Sequence, residues 1–129
     1  MIEQIKSSEI EDFIKENSNT VLLDVRTENE WNSLGKPKAE DLNSKTYFVT
    51  VSHDLSNWQV PDQNFIVNVK KKIGKDKKIL VMCAAGGRSM IAANLLENEG
   101  YSVLNVSDGY SGNSQDPGWK KLNLPIDNS

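Results

Sequence analysis

The segment that most constrains the fold is an apolar run that meets a glycine loop and then a helical stretch. The run Lys78-Ile79-Leu80-Val81-Met82 has the aliphatic content of a strand buried on both faces. Gly86 and Gly87 interrupt it. From Ser89 onward, apolar residues recur at helical spacing until Gly100. This order of strand, loop and helix is the unit from which parallel sheets are built.

The rest of the chain repeats the alternation of short apolar runs with helical stretches. Further strands are predicted over 20–25, 47–51 and 103–106. Helices are predicted from Ser7 to beyond Ile14, from Thr27 through Leu34, over about 62–73 and over 89–99, with a last helical turn over 119–122. Two pairs have the spacing of capping boxes, Ser8 with Glu11 and Thr27 with Glu30. Right-handed crossovers between such strands predict an α/β fold: a mostly parallel sheet with helices on both faces.

Length and composition indicate one ordinary globular domain over residues 1–129. The longest apolar stretch, 79–85, is too short to span a bilayer, and the N-terminus lacks the pattern of a signal peptide. We therefore expect a cytoplasmic protein without a membrane partner. The net charge of −3 gives no support to a nucleic-acid partner. A lysine-rich stretch over 70–78 is typical of a solvated helix end, or alternatively of a patch that docks an acidic partner.

Cysteine and histidine usage excludes several kinds of site. Cys83 is the only cysteine, which rules out an internal disulfide, a Cys-x-x-Cys redox pair and a zinc site built from several cysteines. His53 is the only histidine and is interpreted as a surface or loop residue. We expect neither a metal nor a cofactor. A lone cysteine is by default an inert core residue, so its neighbours decide whether it is reactive.

The neighbours of Cys83 favour a reactive cysteine. Cys83 follows the predicted central strand at its carboxyl end, where open α/β sheets bind ligands. Ala84, Ala85, Gly86 and Gly87 carry no bulky side chain, so the backbone N–H groups can curl into an anion-binding nest beside a helix N-terminus. A thiol placed there is stabilised as a thiolate and becomes a better nucleophile. Beyond the glycines, Arg88 could bind an anionic donor or close the loop.

Three sequence blocks carry a resemblance to rhodanese-like sulfurtransferase domains over nearly the whole chain. The loop pattern Cys-x-x-Gly-x-Arg followed by Ser is matched by Cys83, Gly86, Arg88 and Ser89. Upstream, Leu23-Asp24-Val25-Arg26 followed by Glu30-Trp31 is similar to the family's first strand. Downstream, the segment from Asp108 to Gly112, with Gly118-Trp119 and Leu124-Pro125, is similar to its closing segment. The element Trp31-x-x-x-Gly35-x-Pro37 further resembles short single-domain bacterial members.

The resemblance implies a five-stranded parallel sheet and a sulfur-transfer cycle. Cys83 would take a sulfane sulfur from a small donor or a persulfide-carrying protein, hold it as a persulfide, and pass it to a thiol or to cyanide. The backbone N–H groups of residues 84–89 would cradle that sulfur. Asp24 and Arg26 would be a buried, ion-paired scaffold that steadies the loop and takes no part in the reaction.

The sequence departs from the family pattern in two places. The segment Gly35-Lys36-Pro37-Lys38-Ala39 lacks the histidine that many members carry there. Ala84 and Ala85 occupy positions where members that prefer thiosulfate often have basic residues. Arg88 is the only cation of the loop. We therefore expect either that activity with thiosulfate is weak or that the natural donor is a protein persulfide.

Alternative functions remain open at this point. Cysteine phosphatases and arsenate reductases also grip an oxyanion with a cysteine loop and an arginine, but they place five residues between the two, where this chain has four. A non-catalytic interaction or redox-sensing module is the other alternative, although a sensor would need a resolving thiol from elsewhere. The three tryptophans, Trp31, Trp58 and Trp119, are interpreted as core or pocket-wall residues.

Overall fold

The protein is built on a five-stranded sheet in which every neighbouring pair of strands is parallel. The computed structural model describes residues 2–51 and 63–128. The strands of this sheet are β1 (Glu3–Ile5), β2 (Thr20–Asp24), β4 (Thr46–Phe48), β5 (Lys78–Met82) and β6 (Ser102–Val106), in the spatial order β1-β6-β5-β2-β4. The helices are α1 (Ser7–Glu16), α2 (Glu28–Leu34), α3 (Gln63–Lys72) and α4 (Gly87–Asn98), with a 3₁₀ turn over Ala39–Leu42. Two short strands, β3 (Lys36–Pro37) and β7 (Ile126–Asp127), pair antiparallel beside the main sheet. The predicted α/β fold with a five-stranded parallel sheet is confirmed.

The sheet is covered on both faces because its central strands are apolar on both sides. Alternate residues of β5 point to opposite faces. Ile79 and Val81 pack in one cluster with apolar residues of α3 and α4, whereas Leu80 and Met82 pack in a second cluster with residues of α1. Cys83, the residue after β5, belongs to the first cluster. The cysteine therefore lies on the sheet face that α3 and α4 cover.

Some element boundaries differ from the sequence predictions. The strand predicted over 47–51 is shorter, and β4 ends at Phe48. Val49 and Val51 are nevertheless buried, and their N–H groups donate to the carbonyls of Asp24 and Val25. The last helical turn predicted over 119–122 is present as turns, in which the N–H of Leu122 donates to the carbonyl of Gly118 as in one turn of a helix. Helix α3 lies inside its predicted range, whose first residue, Asp62, falls outside the described residues together with His53 and Trp58.

The caps of the first two helices show one wrong prediction and one confirmed prediction. Helix α1 begins at Ser7, so the predicted box of Ser8 with Glu11 is wrong. The distant Asp108 accepts hydrogen bonds from the N–H and the hydroxyl of Ser7, both at 2.9 Å. The box of Thr27 with Glu30 at the start of α2 is confirmed. A local contact also caps α1, since the side chain of Glu9 accepts from the N–H of Lys6 at 2.9 Å, but the contact with Asp108, more than a hundred residues away, leaves no local signal in the sequence.

The lysine-rich stretch at the end of α3 makes contacts within the chain. Lys70 forms an ion pair with Glu99, the residue after α4, with a separation of 2.6 Å. Lys75 and Lys78 lie over the rings of Tyr101 and Phe13. Within the described ranges, no helix combines the length and the apolar character that crossing a bilayer requires.

Candidate active site

The candidate active site is built around the sulfur of Cys83, at the carboxyl end of the central strand β5. Cys83 is a free cysteine and only 1% exposed. Among residues 2–51 and 63–128, two polar groups contact its Sγ atom: the N–H of Gly86 donates to it at 3.2 Å, and the hydroxyl oxygen of Ser89 lies 3.3 Å away. Helix α4 begins at Gly87, two residues earlier than predicted, so Arg88 and Ser89 belong to its first turn. The sulfur therefore lies beside the N-terminus of a helix, where developing negative charge is stabilised.

Backbone contacts with the segment after β6 give the loop its shape. The carbonyls of Cys83 and Ala84 accept hydrogen bonds from the N–H groups of Tyr110 and Ser111, at 2.8 Å and 2.9 Å. Gly109 lies directly against those two carbonyls with a φ of +59°, and a Cβ atom there would collide with both. Because this segment holds the two carbonyls on one side, the N–H of Gly86 points to the other side, toward the sulfur.

Gly86 itself requires the absence of a side chain. Its φ of +107° is a conformation that residues with a Cβ rarely adopt, and a Cβ there would meet the carbonyl oxygen of Ser107. Ala85 and Gly87 are exposed and Ala84 is half-buried, so the outer side of the loop faces solvent. The site is a buried sulfur under a thin, solvent-facing layer of backbone.

Arg88 is held in a bidentate ion pair with Glu30 of α2. Its Nη1 and Nη2 atoms donate to the two carboxylate oxygens of Glu30, at 2.6 Å and 2.8 Å. The hydrogen bond from Arg88 lowers the pKa of Glu30 to about 2, and the same bond raises the pKa of Arg88. Glu30 also caps α2 by accepting from the N–H of Thr27 at 3.1 Å. The sequence singled out Glu30 only as a helix cap and as part of a motif, and gave no sign that it binds the loop arginine.

Asp24 and Arg26 form a fully buried ion pair that reaches the loop through Tyr110. The Nη2 atom of Arg26 donates to Oδ2 of Asp24 at 2.8 Å and to the carbonyl of Gly35 at 3.0 Å. The guanidinium lies 4.0 Å from the ring centre of Tyr110, and burial raises the pKa of that tyrosine. Because the N–H of Tyr110 holds the carbonyl of Cys83, the pair is linked to the loop by one intervening residue.

Asn105 is a site residue that the sequence interpretation missed. It lies on β6, is 1% exposed, and accepts a hydrogen bond from the hydroxyl of Ser89. Its residue partner across the sheet is Val81, on the same face as Cys83. A signal was present, since Asn105 is the one polar residue in the predicted apolar strand 103–106.

Other predicted or excluded residues can be placed briefly. Trp119 is fully buried in the cluster on the opposite face of the sheet, with its indole N–H bound to the carbonyl of Pro125. Trp31 packs edge-on against Phe48, with ring centres 5.2 Å apart. Across residues 2–51 and 63–128, no cluster of three or more histidine, cysteine or acidic side chains could hold a metal ion.

Comparison with known proteins agrees with this architecture. The family model described as "Rhodanese-like domain" matches residues 7–116. The uncharacterized protein RP600 of Rickettsia prowazekii is 38% identical over 126 residues, which is 97% of each chain. The crystal structure of Rv0390 from M. tuberculosis superposes with a TM-score of 0.79 at 25% identity, covering 98% of this chain and 97% of that one. The polysulfide-sulfur transferase homodimer of Wolinella succinogenes shares the fold at 19% identity, with a TM-score of 0.66, over 97% of this chain and 77% of that one. The chain belongs to the rhodanese-like domain family.

Proposed function

We propose that the protein is a sulfurtransferase that carries a sulfane sulfur as a persulfide on Cys83. The thiolate of Cys83 attacks the outer sulfur of a donor, a new S–S bond forms, and the donor's own S–S bond breaks. The leaving group is a thiolate when the donor is a persulfide, and sulfite when it is thiosulfate. An acceptor thiolate or cyanide then attacks the outer sulfur of the Cys83 persulfide, which regenerates the thiolate. No net oxidant or reductant is needed.

The observation that carries the proposal is the pairing of Sγ with the loop backbone. The N–H of Gly86 points at the sulfur at 3.2 Å, and residues 84–87 offer no side chain larger than a methyl group. Backbone donors placed in this way stabilise an anionic sulfur. Four residues between Cys83 and Arg88 form a smaller loop than the five of the phosphatases and arsenate reductases, which supports a single sulfur atom as cargo.

The ion pair of Arg88 favours a persulfide over thiosulfate as donor. Arg88 is the only cation of the loop, and its guanidinium already donates two hydrogen bonds to the carboxylate of Glu30. Binding of a doubly charged anion would require Arg88 to leave that carboxylate or would add charge beside it. The reacting sulfane group of a persulfide carries at most one negative charge, whereas thiosulfate carries two. We therefore propose a persulfide donor and a thiol acceptor, with no nucleic acid or membrane in the reaction.

The test is the mass of the intact protein after incubation with a sulfur donor. Glutathione persulfide, a persulfide-loaded cysteine desulfurase and thiosulfate are compared at equal concentration. We expect an added mass of one sulfur atom, formed faster with either persulfide than with thiosulfate, and removed by cyanide as thiocyanate. The Cys83→Ser variant is the matched control and gains no mass.

Two outcomes would contradict the proposal. Absence of the adduct with every donor would favour the alternative of a non-catalytic module. Hydrolysis of p-nitrophenyl phosphate by the wild type that disappears in Cys83→Ser would favour a cysteine phosphatase.

A further inference from the structure

A buried chain of hydrogen bonds runs from the sulfur of Cys83 into β6. Ser89 is fully buried and Asn105 is 1% exposed. The hydroxyl oxygen of Ser89 lies 3.3 Å from Sγ of Cys83 and is hydrogen-bonded to Oδ1 of Asn105. The amide nitrogen of Asn105 donates to the carbonyl of Gly86 at 3.2 Å and to the side chain of Gln4 at 3.1 Å. The amide of Asn105 thus contacts both the loop and the serine that touches the sulfur.

The carbonyl of Gly86 decides which way the amide of Asn105 faces. A backbone carbonyl only accepts hydrogen bonds, so the atom of Asn105 that faces it must be the NH₂ nitrogen. The amide oxygen must then face Ser89. This assignment follows from the loop backbone and does not depend on Gln4, whose own amide can present either end.

The orientation of Asn105 in turn fixes the hydroxyl of Ser89. A serine has one hydroxyl hydrogen, and the amide oxygen of Asn105 can only accept it. The side of the hydroxyl oxygen that faces Cys83 carries only lone pairs. In the hydrogen bond between Ser89 and Cys83, the thiol is therefore the donor and the hydroxyl oxygen is the acceptor. On its other side, the sulfur receives the N–H of Gly86. One contact therefore stabilises the thiol and the other stabilises the thiolate.

We propose that Asn105 is a positioning residue that, acting through Ser89, sets the pH at which Cys83 becomes a thiolate. While Cys83 is protonated, the amide holds the serine hydroxyl as an acceptor for the thiol. When the thiol releases its proton to solvent, the hydroxyl has to turn from Asn105 toward the sulfur in order to donate to it. This inference deepens the proposed function, since it concerns the same cysteine, but ionisation of the thiol can be measured without any sulfur transfer.

The charged groups around the sulfur do not take part in the hydrogen-bond chain from Asn105 through Ser89 to Cys83. Arg88 of α4 interacts electrostatically with Cys83 and also with Asp24, and it is paired with Glu30 of α2. Asp24, at the end of β2, is paired with Arg26. These pairs stay in place when Asn105 is replaced by a neutral side chain of similar size. Any change in the ionisation of Cys83 then comes from one of two contacts of Asn105, with Ser89 or with the carbonyl of Gly86, and a double variant separates the two.

The experiment measures the rate at which iodoacetamide alkylates the reduced full-length protein as a function of pH, with no sulfur donor present. In Asn105→Leu, the hydroxyl of Ser89 loses its acceptor and can donate to the thiolate. We expect the midpoint of the alkylation profile to fall by about half to one pH unit, the size expected for one neutral hydrogen bond. If Asn105→Leu does not fold, Asn105→Ala carries the same test.

The decisive control is the double variant, because the proposal assigns the effect of Asn105 entirely to Ser89. In a Ser89→Ala background, Asn105→Leu should leave the midpoint unchanged. Gln4→Thr removes the other partner of Asn105 but keeps the carbonyl of Gly86, so the wild-type midpoint should be retained. An unchanged midpoint in Asn105→Leu, or an equal shift in the Ser89→Ala background, would overturn the proposal. Failure of the persulfide adduct to form would overturn the sulfurtransferase function and leave this result intact.

Discussion

At the scale of single residues, the site depends on two glycines, Gly86 and Gly109, whereas a third, Gly87, has room for a side chain. Gly86 and Gly109 both have positive φ, and each lies where a Cβ would meet a carbonyl of the opposing segment. Together they let the loop after β5 and the segment after β6 pack backbone against backbone. The adjacent Gly87 has no atom within 4 Å of its ideal Cβ position. The residue that follows Gly86 in the motif is therefore under no such constraint.

The contrast predicts opposite outcomes for two alanine substitutions. Gly109→Ala should destabilise the protein by more than about 2 kcal/mol, because it adds both left-handed strain and a collision with the carbonyls of Cys83 and Ala84. Gly87→Ala should change the free energy of unfolding by less than about 1 kcal/mol, since alanine suits a helix better than glycine does. Urea unfolding measures both. Equal stability of the two variants would show that the loop does not pack on Gly109 in this way.

At the scale of secondary-structure elements, the sequence predicts the strands whose side chains are buried on both faces of the sheet. It does not predict a strand in which only one side chain is buried. The bounds of strands β2, β5 and β6 agree with the prediction to within a residue or two, because each is a mostly apolar run between turn signals. β1 was not predicted, since it has three residues of which only Ile5 is buried. Its pairing with β6 is a tertiary fact that no local pattern reports.

The same limit applies to the candidate site. Cys83 and its loop could be found because strand, glycines and cysteine are consecutive in the chain. Glu30 and Asn105 could not be assigned to the loop, because Arg88 and Ser89 reach them only after α2 and β6 are in place. Contacts between elements depend on the complete packing, and the local sequence records only the residue types.

The ion pair that joins α2 to α4 predicts a specific pH dependence of stability. The pKa of Glu30 is lowered from 4.5 to about 2 by Arg88, so the folded protein keeps this carboxylate charged at a pH where the unfolded chain protonates it. The resulting stabilisation is complete above pH 4.5 and is lost as the pH falls toward 2. At pH 7 the free energy of unfolding of the wild type should exceed that of Glu30→Gln by about 1–2 kcal/mol. Near pH 2 the two free energies of unfolding should become equal. Urea unfolding across this range measures the difference, and a gap that stays constant would contradict the assignment.

At the scale of the whole molecule, one buried charge pair connects parts of the chain that are far apart in sequence. Asp24 ends β2, Arg26 contacts the carbonyl of Gly35 after α2, and its guanidinium lies on Tyr110 beyond β6. The hydroxyl of Tyr110 donates to the carbonyl of Leu34 at 2.9 Å. This pair contacts the central sheet, the end of α2 and the segment that holds the loop. Its loss should therefore lower the free energy of unfolding of the whole protein.

Asp24→Asn should therefore cost far more than the loss of a surface pair. It leaves the buried guanidinium of Arg26 without a counter-charge, which costs about 3–5 kcal/mol. The matched control is Glu11→Gln, which breaks an exposed pair with Lys15 on α1 and should cost less than about 0.5 kcal/mol. Equilibrium unfolding in urea compares the two. Similar losses in both variants would show that burial of the pair does not matter.

The backbone contacts that shape the cysteine loop also impose an order of events during synthesis. Cys83 is added to the growing chain before Tyr110 and Ser111, whose N–H groups hold the loop carbonyls. Asp108, which ties the same segment to the start of α1, is likewise added after Cys83. The loop can therefore take its folded shape only after the segment that follows β6 has been made and has packed against it.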